Sequence, residues 1–268
     1  MIADLLSYPF MRHAALAALL ASVVCGVLGP IIVLRRQVML VSGIAHAAFG
    51  GVGLSRFLGM NARLGAYGFT VLLALVAAPL SWKRKNRTDT LMGILWSAGM
   101  AIGLVFNDLA PGYGADLMSY LFGSILTVSS GELWFMALLA LLGVGVVWWR
   151  YHQIEAFLFD ANFARTRGVA VKSYHFWSVM AASLAVVVII RVVGLILVIA
   201  LFTIPPYIAE RHAKSLAGIM VLSSLLSGLF CLTGLWLSWR YDLTAGAAII
   251  LVGCAVQALD LALYRKTA

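Results

Sequence analysis

The chain has 268 residues, of which 63% are apolar and 11% are charged, against roughly 45–50% and about 25% in a soluble domain. This composition excludes a water-soluble globule, and the length accommodates roughly eight or nine transmembrane helices with no sizeable extramembrane domain. The net charge of +9 is explained by basic cytoplasmic loops. Because no basic stripe interleaved with aromatic residues is present, nucleic-acid binding is not expected.

Nine apolar runs, separated by charged or Gly/Pro-containing turns, predict nine transmembrane helices. They occupy residues 12–34, 40–58, 64–82, 91–107, 131–149, 174–190, 192–209, 216–238 and 244–264. Between the fourth and fifth runs, residues 108–130 predict an external loop and a re-entrant stretch that is too short to span. We therefore expect an all-α polytopic membrane protein, organised as a single transmembrane domain over residues 1–268.

The basic residues predict how the chain is oriented in the membrane. Fourteen of the 19 Lys and Arg residues fall in alternate connections, and five fall on the other side. Because Lys and Arg accumulate in cytoplasmic loops, the richer side is assigned to the cytoplasm. This orientation places the N-terminus outside and the C-terminus inside.

Near the first cytoplasmic connection, residues 41–53 combine small residues with one ionisable side chain. Small residues recur every four positions: Gly43, Ala47 and Gly51. They predict a close helix contact, and Ser42, His46 and Gly50 form the adjoining stripe. An intramembrane histidine faces a bundle interior or a watery path, and imidazole binds zinc and other first-row metals. Two interpretations of His46 stay open: a hydrogen-bonded packing residue and a metal ligand.

The longest polar connection, residues 150–172, is predicted to lie in the cytoplasm. Asp160 precedes a short helical pattern that includes Asn162 and Arg165, while Arg167 and Gly168 close it, so both start and stop signals are present. Such a helix is either an ordinary surface turn or a docking element for a soluble partner.

The run at 192–209 contains Gly194 and the pair Pro205-Pro206. These residues predict a broken helix. Broken helices line transport paths, although kinks also occur for packing alone.

Catalytic signatures are missing from the sequence. The chain has no Gly-Lys dipeptide and therefore no Walker A motif, and it lacks His-Glu-x-x-His, Gly-x-Ser-x-Gly and paired intramembrane aspartates. The cysteines lie in apolar runs without metal spacing, which favours packing. We therefore expect a protein that is not an enzyme and binds no cofactor.

Four blocks together resemble the permease family of zinc and manganese ABC importers, which includes the zinc-uptake permeases. They lie at residues 42–53, 89–94, 116–123 and 193–205. The resemblance implies a type II importer-like permease of the bacterial inner membrane. It also implies a homodimer or close heterodimer with the substrate path between the two permease chains. A separate cytoplasmic ATPase would use ATP, and an extracytoplasmic binding protein would deliver zinc or manganese.

The resemblance also implies roles for individual residues. Many family members carry Asp-x-x-x-His, whose two side chains resemble metal ligands; here His46 is retained but Ser42 occupies the aspartate position. Manganese favours carboxylate oxygen while zinc tolerates imidazole, so this departure leans slightly toward zinc. The implied translocation path includes Gly50, Gly53 and Pro205. The implied coupling helix contains Asp160, Asn162, Arg165, Arg167 and Gly168.

Two alternatives remain. A secondary carrier without ATP needs buried ionisable residues, and Asp260 is the candidate, although its position favours an interfacial pair with Arg265 or Lys266. A structural membrane protein would need no path at all. Neither alternative accounts for the cytoplasmic helix and the broken helix together.

Overall fold

The computed structural model describes residues 9–83, 87–111 and 128–267, which form twelve α-helices and no strand. The helices are α1 (Pro9–Leu34), α2 (Val38–Ala47), α3 (Phe49–Phe57), α4 (Ala62–Lys83), α5 (Thr88–Leu109), α6 (Ser130–Trp149), α7 (Tyr151–Phe159), α8 (Ala161–Thr166), α9 (Val171–Val193), α10 (Leu195–His212), α11 (Leu216–Tyr241) and α12 (Ala245–Thr267).

Within these residues, nine helical spans are long and apolar enough to cross a membrane. Each coincides with one of the nine apolar runs, which confirms the predicted all-α polytopic fold. One span, Val38–Phe57, consists of α2 and α3 joined at Ala48. The predicted re-entrant stretch and the block at 116–123 fall largely or wholly within residues 112–127, outside the described residues.

The helices belong to two compact units. The first, called the His46 unit, contains α2 to α5, α7, α8 and most of α9. The second, called the Pro205 unit, contains α1, α6, α10 to α12 and the last turn of α9.

Glycines permit very close helix packing in the His46 unit. Gly51 lies so near α4 that an added Cβ would be 2.7 Å from the carbonyl carbon of Gly65. A Cβ on Gly43 would be 3.3 Å from the Cβ of Met92 in α5. A Cβ on Gly99 of α5 would be 2.7 Å from the Cα of Ala47. The predicted small-residue stripe is therefore a helix contact, and its partners are α4 and α5 of the same chain.

The Pro205 unit contains the predicted break, but at one position rather than two. Gly194 has φ 90°, a backbone conformation that glycine adopts readily, and it separates α9 from α10. The expectation of a second interruption at Pro205-Pro206 is wrong, because α10 continues through both prolines to His212. Close packing holds this stretch in place: a Cβ on Gly29 of α1 would be 2.7 Å from the Cγ of Pro206.

Tryptophans mark both ends of α6. Trp134 near its start and Trp148 and Trp149 at its end are all exposed. Tryptophan is enriched at the two membrane–water interfaces. Only 17% of the residues in the most apolar stretch of α6 are buried within the chain. The surface of α6 is therefore suited to contact lipid, and the tryptophans at its ends are suited to the two membrane–water interfaces.

The close contact of Gly51 predicts that Gly51→Ala destabilises the protein. The added methyl group meets backbone atoms of α4, which cannot yield unless the helices separate, so we expect a loss of about 1–3 kcal/mol. Gly143→Ala is the matched control, because a Cβ on Gly143 of α6 meets nothing within 4 Å. Thermal unfolding in detergent should show a lower midpoint for Gly51→Ala alone. Equal midpoints for the two variants would contradict the packing described here.

Candidate metal-translocation site

His46 lies in the last turn of α2, where its side chain is partly buried. Its Nδ1 is 2.8 Å from the carbonyl oxygen of Ser42, one helical turn earlier. A carbonyl can only accept a hydrogen bond, so Nδ1 carries the proton and donates it. In the neutral imidazole, Nε2 then holds the unprotonated lone pair, which is the form that ligates metals.

The indole of Trp96 flanks the imidazole of His46. The two ring centroids are 4.2 Å apart and their planes are tilted by 38°. Trp96 belongs to α5 and donates its Nε1–H to the sulfur of Met100 at 2.7 Å. The ring orientation of His46 is thus fixed twice, by the Ser42 carbonyl and by the indole.

Ser42 stands where many family members carry aspartate, and it contributes a backbone carbonyl oxygen rather than a carboxylate. Ser42 is partly buried and contacts His46 through its carbonyl oxygen. Across residues 9–83, 87–111 and 128–267, no three His, Cys, Asp or Glu side chains are grouped to hold a metal ion. Any ion at His46 therefore needs further ligands of another kind, such as water or backbone carbonyls, or ligands from residues outside those ranges or from another chain.

Gly50 and Gly53, predicted on the translocation path, lie in the packed interior of the His46 unit. A Cβ on Gly50 would be 2.7 Å from the carbonyl oxygen of Gly99, and one on Gly53 would be 2.8 Å from the Cα of Gly103. Both glycines bring their helix against α5. Their role on a path stays a prediction.

Pro205 and Asp260 belong to the Pro205 unit. Pro205 is buried within the continuous helix α10. The carboxylate of Asp260 accepts from Arg211 at 3.0 Å and also contacts Nε2 of His212. The described partners of Asp260 therefore come from α10, whereas the expected partners Arg265 and Lys266 have side chains outside the described residues.

The predicted coupling segment folds into two short helices, where the sequence indicated one. Residues 151–159 form α7, and the expected helix follows as α8. Oδ1 of Asp160 accepts from the backbone N–H groups of Asn162 and Phe163 at 2.9 and 3.0 Å, which satisfies two donors of the first turn. Gly168, with φ 77°, ends the segment. The start and stop signals were therefore interpreted correctly.

Phenylalanines and guanidinium groups form the surface of α7 and α8. Phe159 and Phe163 are 59% and 50% exposed. The guanidinium of Arg167 lies 5.4 Å from the ring centroid of Phe163, and that of Arg165 lies 5.5 Å from the ring of Trp82. Ala164 of α8 is fully buried.

Sequence reasoning missed a buried polar cluster beside this segment. Nε2 of Gln37 is 2.9 Å from Nδ1 of His175, and Oγ of Ser81 is 3.0 Å from Nε2 of that histidine. All three side chains are at most 8% exposed. Each residue stands at or near the end of an apolar run, which was the available signal. Their pairing was not visible because it depends on how three helix ends converge.

Comparison with known proteins identifies relatives over almost the whole chain. Residues 7–263 match the ABC 3 transport family. An uncharacterised membrane protein of Synechocystis, slr2045, is 42% identical over 97% of this chain and 92% of its own length. The manganese transport system membrane protein MntC of Listeria monocytogenes is 31% identical over 94% of this chain and 90% of its own length.

A solved structure supports the same family assignment. PsaBC from Streptococcus pneumoniae, determined in complex with a Fab, matches with a TM-score of 0.84 and 28% identity, covering 97% of this chain and 95% of the other. The resemblance drawn from the four sequence blocks is therefore confirmed. The chain belongs to the ABC 3 transport family and is a multi-pass, non-enzymatic permease subunit of a metal ABC transporter in the bacterial inner membrane.

Proposed function

We propose that this chain imports a divalent transition metal ion through a site built on His46, with manganese as the first candidate cargo. The observation that carries the proposal is the state of the imidazole. Its Nδ1 lies 2.8 Å from the carbonyl oxygen of Ser42, so in the neutral ring the lone pair belongs to Nε2. In that neutral tautomer, Nε2 can ligate a metal without losing a proton.

The choice of metal depends on two opposing considerations. Serine in place of aspartate at position 42 removes an oxygen ligand and led the sequence toward zinc. The named relative from Listeria monocytogenes is a manganese transport protein, and that name favours manganese. Water or backbone carbonyls supply hard oxygen ligands to manganese where a carboxylate is missing. Zinc is the second candidate.

The proposed assembly has four components. Two permease chains form a dimer, with homodimer as the first expectation, and the metal passes between them. An extracytoplasmic binding protein delivers the ion, and a cytoplasmic ATPase supplies the energy. The N-terminus lies outside and the C-terminus inside, so residues 150–172 face the ATPase. The exposed Phe159 and Phe163 are suited to anchor it, since buried aromatic side chains contribute strongly to interfaces.

The metal and its energy source are tested by uptake into liposomes that contain the permease with its ATPase, with the binding protein supplied on the side from which the metal enters. We expect Mn²⁺ to accumulate in the vesicle lumen when ATP is enclosed there on the same side as the ATPase, and Zn²⁺ to accumulate less. Elemental analysis of the washed vesicles measures both ions. Accumulation by the permease alone, driven by a proton gradient without ATP, would instead support a secondary carrier.

His46→Ala tests the metal site. Loss of the imidazole removes the ligand, so we expect metal uptake to fall about tenfold or more while the complex still assembles. Leu141→Ala is the control, because its side chain is 71% exposed on α6, a helix that carries neither His46 nor any of residues 150–172, and its uptake should equal that of the wild type. Normal uptake by His46→Ala would contradict a role for this residue in translocation.

Phe163→Ala tests the docking surface. Removing an exposed aromatic anchor should weaken association with the ATPase about tenfold, measured by co-purification at graded protein concentrations. Tyr241→Ala is the control, since Tyr241 is 63% exposed at the end of α11 that the proposed orientation places outside. Equal retention of the ATPase by both variants would show that α8 does not dock it.

A further inference from the structure

A three-residue linker, Arg35 to Gln37, connects α1 to α2 and contacts residues on both sides of α8 along the chain. Gln37 immediately precedes α2, and His46 follows about two and a half turns later on the same helix. Contacts made by the linker therefore fix the position at which α2, the helix that carries His46, begins.

The first contact of the linker is on the N-terminal side of α8. The guanidinium of Arg35 lies 4.5 Å from the ring centroid of Phe157, and its Nη1 is 3.5 Å from the carbonyl oxygen of that residue. Phe157 is 1% exposed and lies in α7, three residues before the Asp160 cap. Arg35 is thereby held against the chain that enters α8.

The second contact is on the C-terminal side of α8. With its amide oriented as in the structure, Gln37 donates from Nε2 to Nδ1 of His175 at 2.9 Å. Its Oε1 accepts at 3.3 Å from the hydroxyl of Ser178, which is shared with the carbonyl oxygen of His175 at 2.8 Å. His175 then carries its proton on Nε2 and donates it to Oγ of Ser81 at 3.0 Å. Both polar groups of the Gln37 amide are thus paired inside the protein.

Arg36, between the two anchors, has φ 54°. This left-handed conformation is uncommon for a residue other than glycine and persists where the surroundings fix it. The contacts of Arg35 and Gln37 on either side provide that fixing. The linker is therefore held in one specific conformation.

An aromatic contact extends the same cluster to α8 itself. The ring of His175 lies 5.2 Å from that of Trp82, centroid to centroid. The guanidinium of Arg165 in α8 lies 5.5 Å from the Trp82 ring. A continuous set of contacts thus runs from α8 through Trp82, His175 and Gln37 to the first residue of α2, all within the His46 unit.

We propose that Gln37 and His175 are positioning residues that transmit displacement of α8 to α2, and so link ATP hydrolysis to the state of His46. This inference rests on the proposed function. Buried hydrogen bonds with both partners satisfied resist sliding, because any shift leaves a polar group unpaired. A rigid helix then carries the displacement from Gln37 to His46.

The test measures Mn²⁺ imported per ATP hydrolysed by the permease with its ATPase and binding protein in liposomes, with Zn²⁺ as a second probe. This ratio does not depend on how much complex is folded. We expect Gln37→Ala and His175→Ala each to lower the ratio about three- to tenfold. Because the two residues act as one pair, the double variant should be no lower than the lower single variant.

Two further variants separate positioning from packing. His175→Gln keeps an acceptor and a donor, so its ratio should stay near that of the wild type. Ser55→Ala is the control, since this buried hydroxyl in α3 donates only to Val52 of its own helix at 2.9 Å. If either alanine variant fails to assemble, Gln37→Met, of similar volume without an amide, replaces it and must show the same fall.

An unchanged ratio in the Gln37 and His175 variants would overturn the inference, and so would a proportionate fall of transport and ATP hydrolysis. A wild-type complex that imports neither ion would contradict the proposed function instead. The two failures are therefore distinguishable.

Discussion

Backbone-to-backbone contact along the span Val38–Phe57 is the constraint on which the rest of the His46 unit depends. Gly51 and Gly53 bring this span so close to its neighbours that an alanine methyl group would overlap backbone atoms of α4 or α5. One side of the span is therefore filled by its own chain. Ser42 and His46 lie on the adjoining stripe, which that packing leaves partly exposed. The position of the imidazole thus follows from where the glycines are.

Some polar groups within and beside the spans are engaged in ways that limit their movement. His46 is bonded to the Ser42 carbonyl and flanked by Trp96, while Gln37 and His175 satisfy each other. A polar group costs several kcal/mol when it is buried without a partner. Such pairing makes the two ends of α2 well-defined positions. In the proposed function, Gln37 at the start of α2 responds to ATP hydrolysis, and His46 in the last turn of α2 binds the metal.

Periodicity and charge were sufficient to predict the nine spans, because a bilayer demands long apolar helices whatever their tertiary contacts. The caps of α8 were also visible, since Asp160 and Gly168 act locally. The course of α10 through Pro205-Pro206 was not, because proline normally interrupts a helix and the close approach of Gly29 in another helix is not visible in the sequence. The same reason hid Trp96 and the partners of Gln37. His46 could be singled out from the sequence, but its tautomer required the geometry of the Ser42 carbonyl.

The most direct test of this account is to locate Mn²⁺ by anomalous scattering in a structure of the permease bound to its ATPase. The account predicts a manganese peak at bonding distance from Nε2 of His46, with Nδ1 still facing the carbonyl of Ser42. A peak elsewhere in the assembly, with His46 making no contact to the ion, would contradict it.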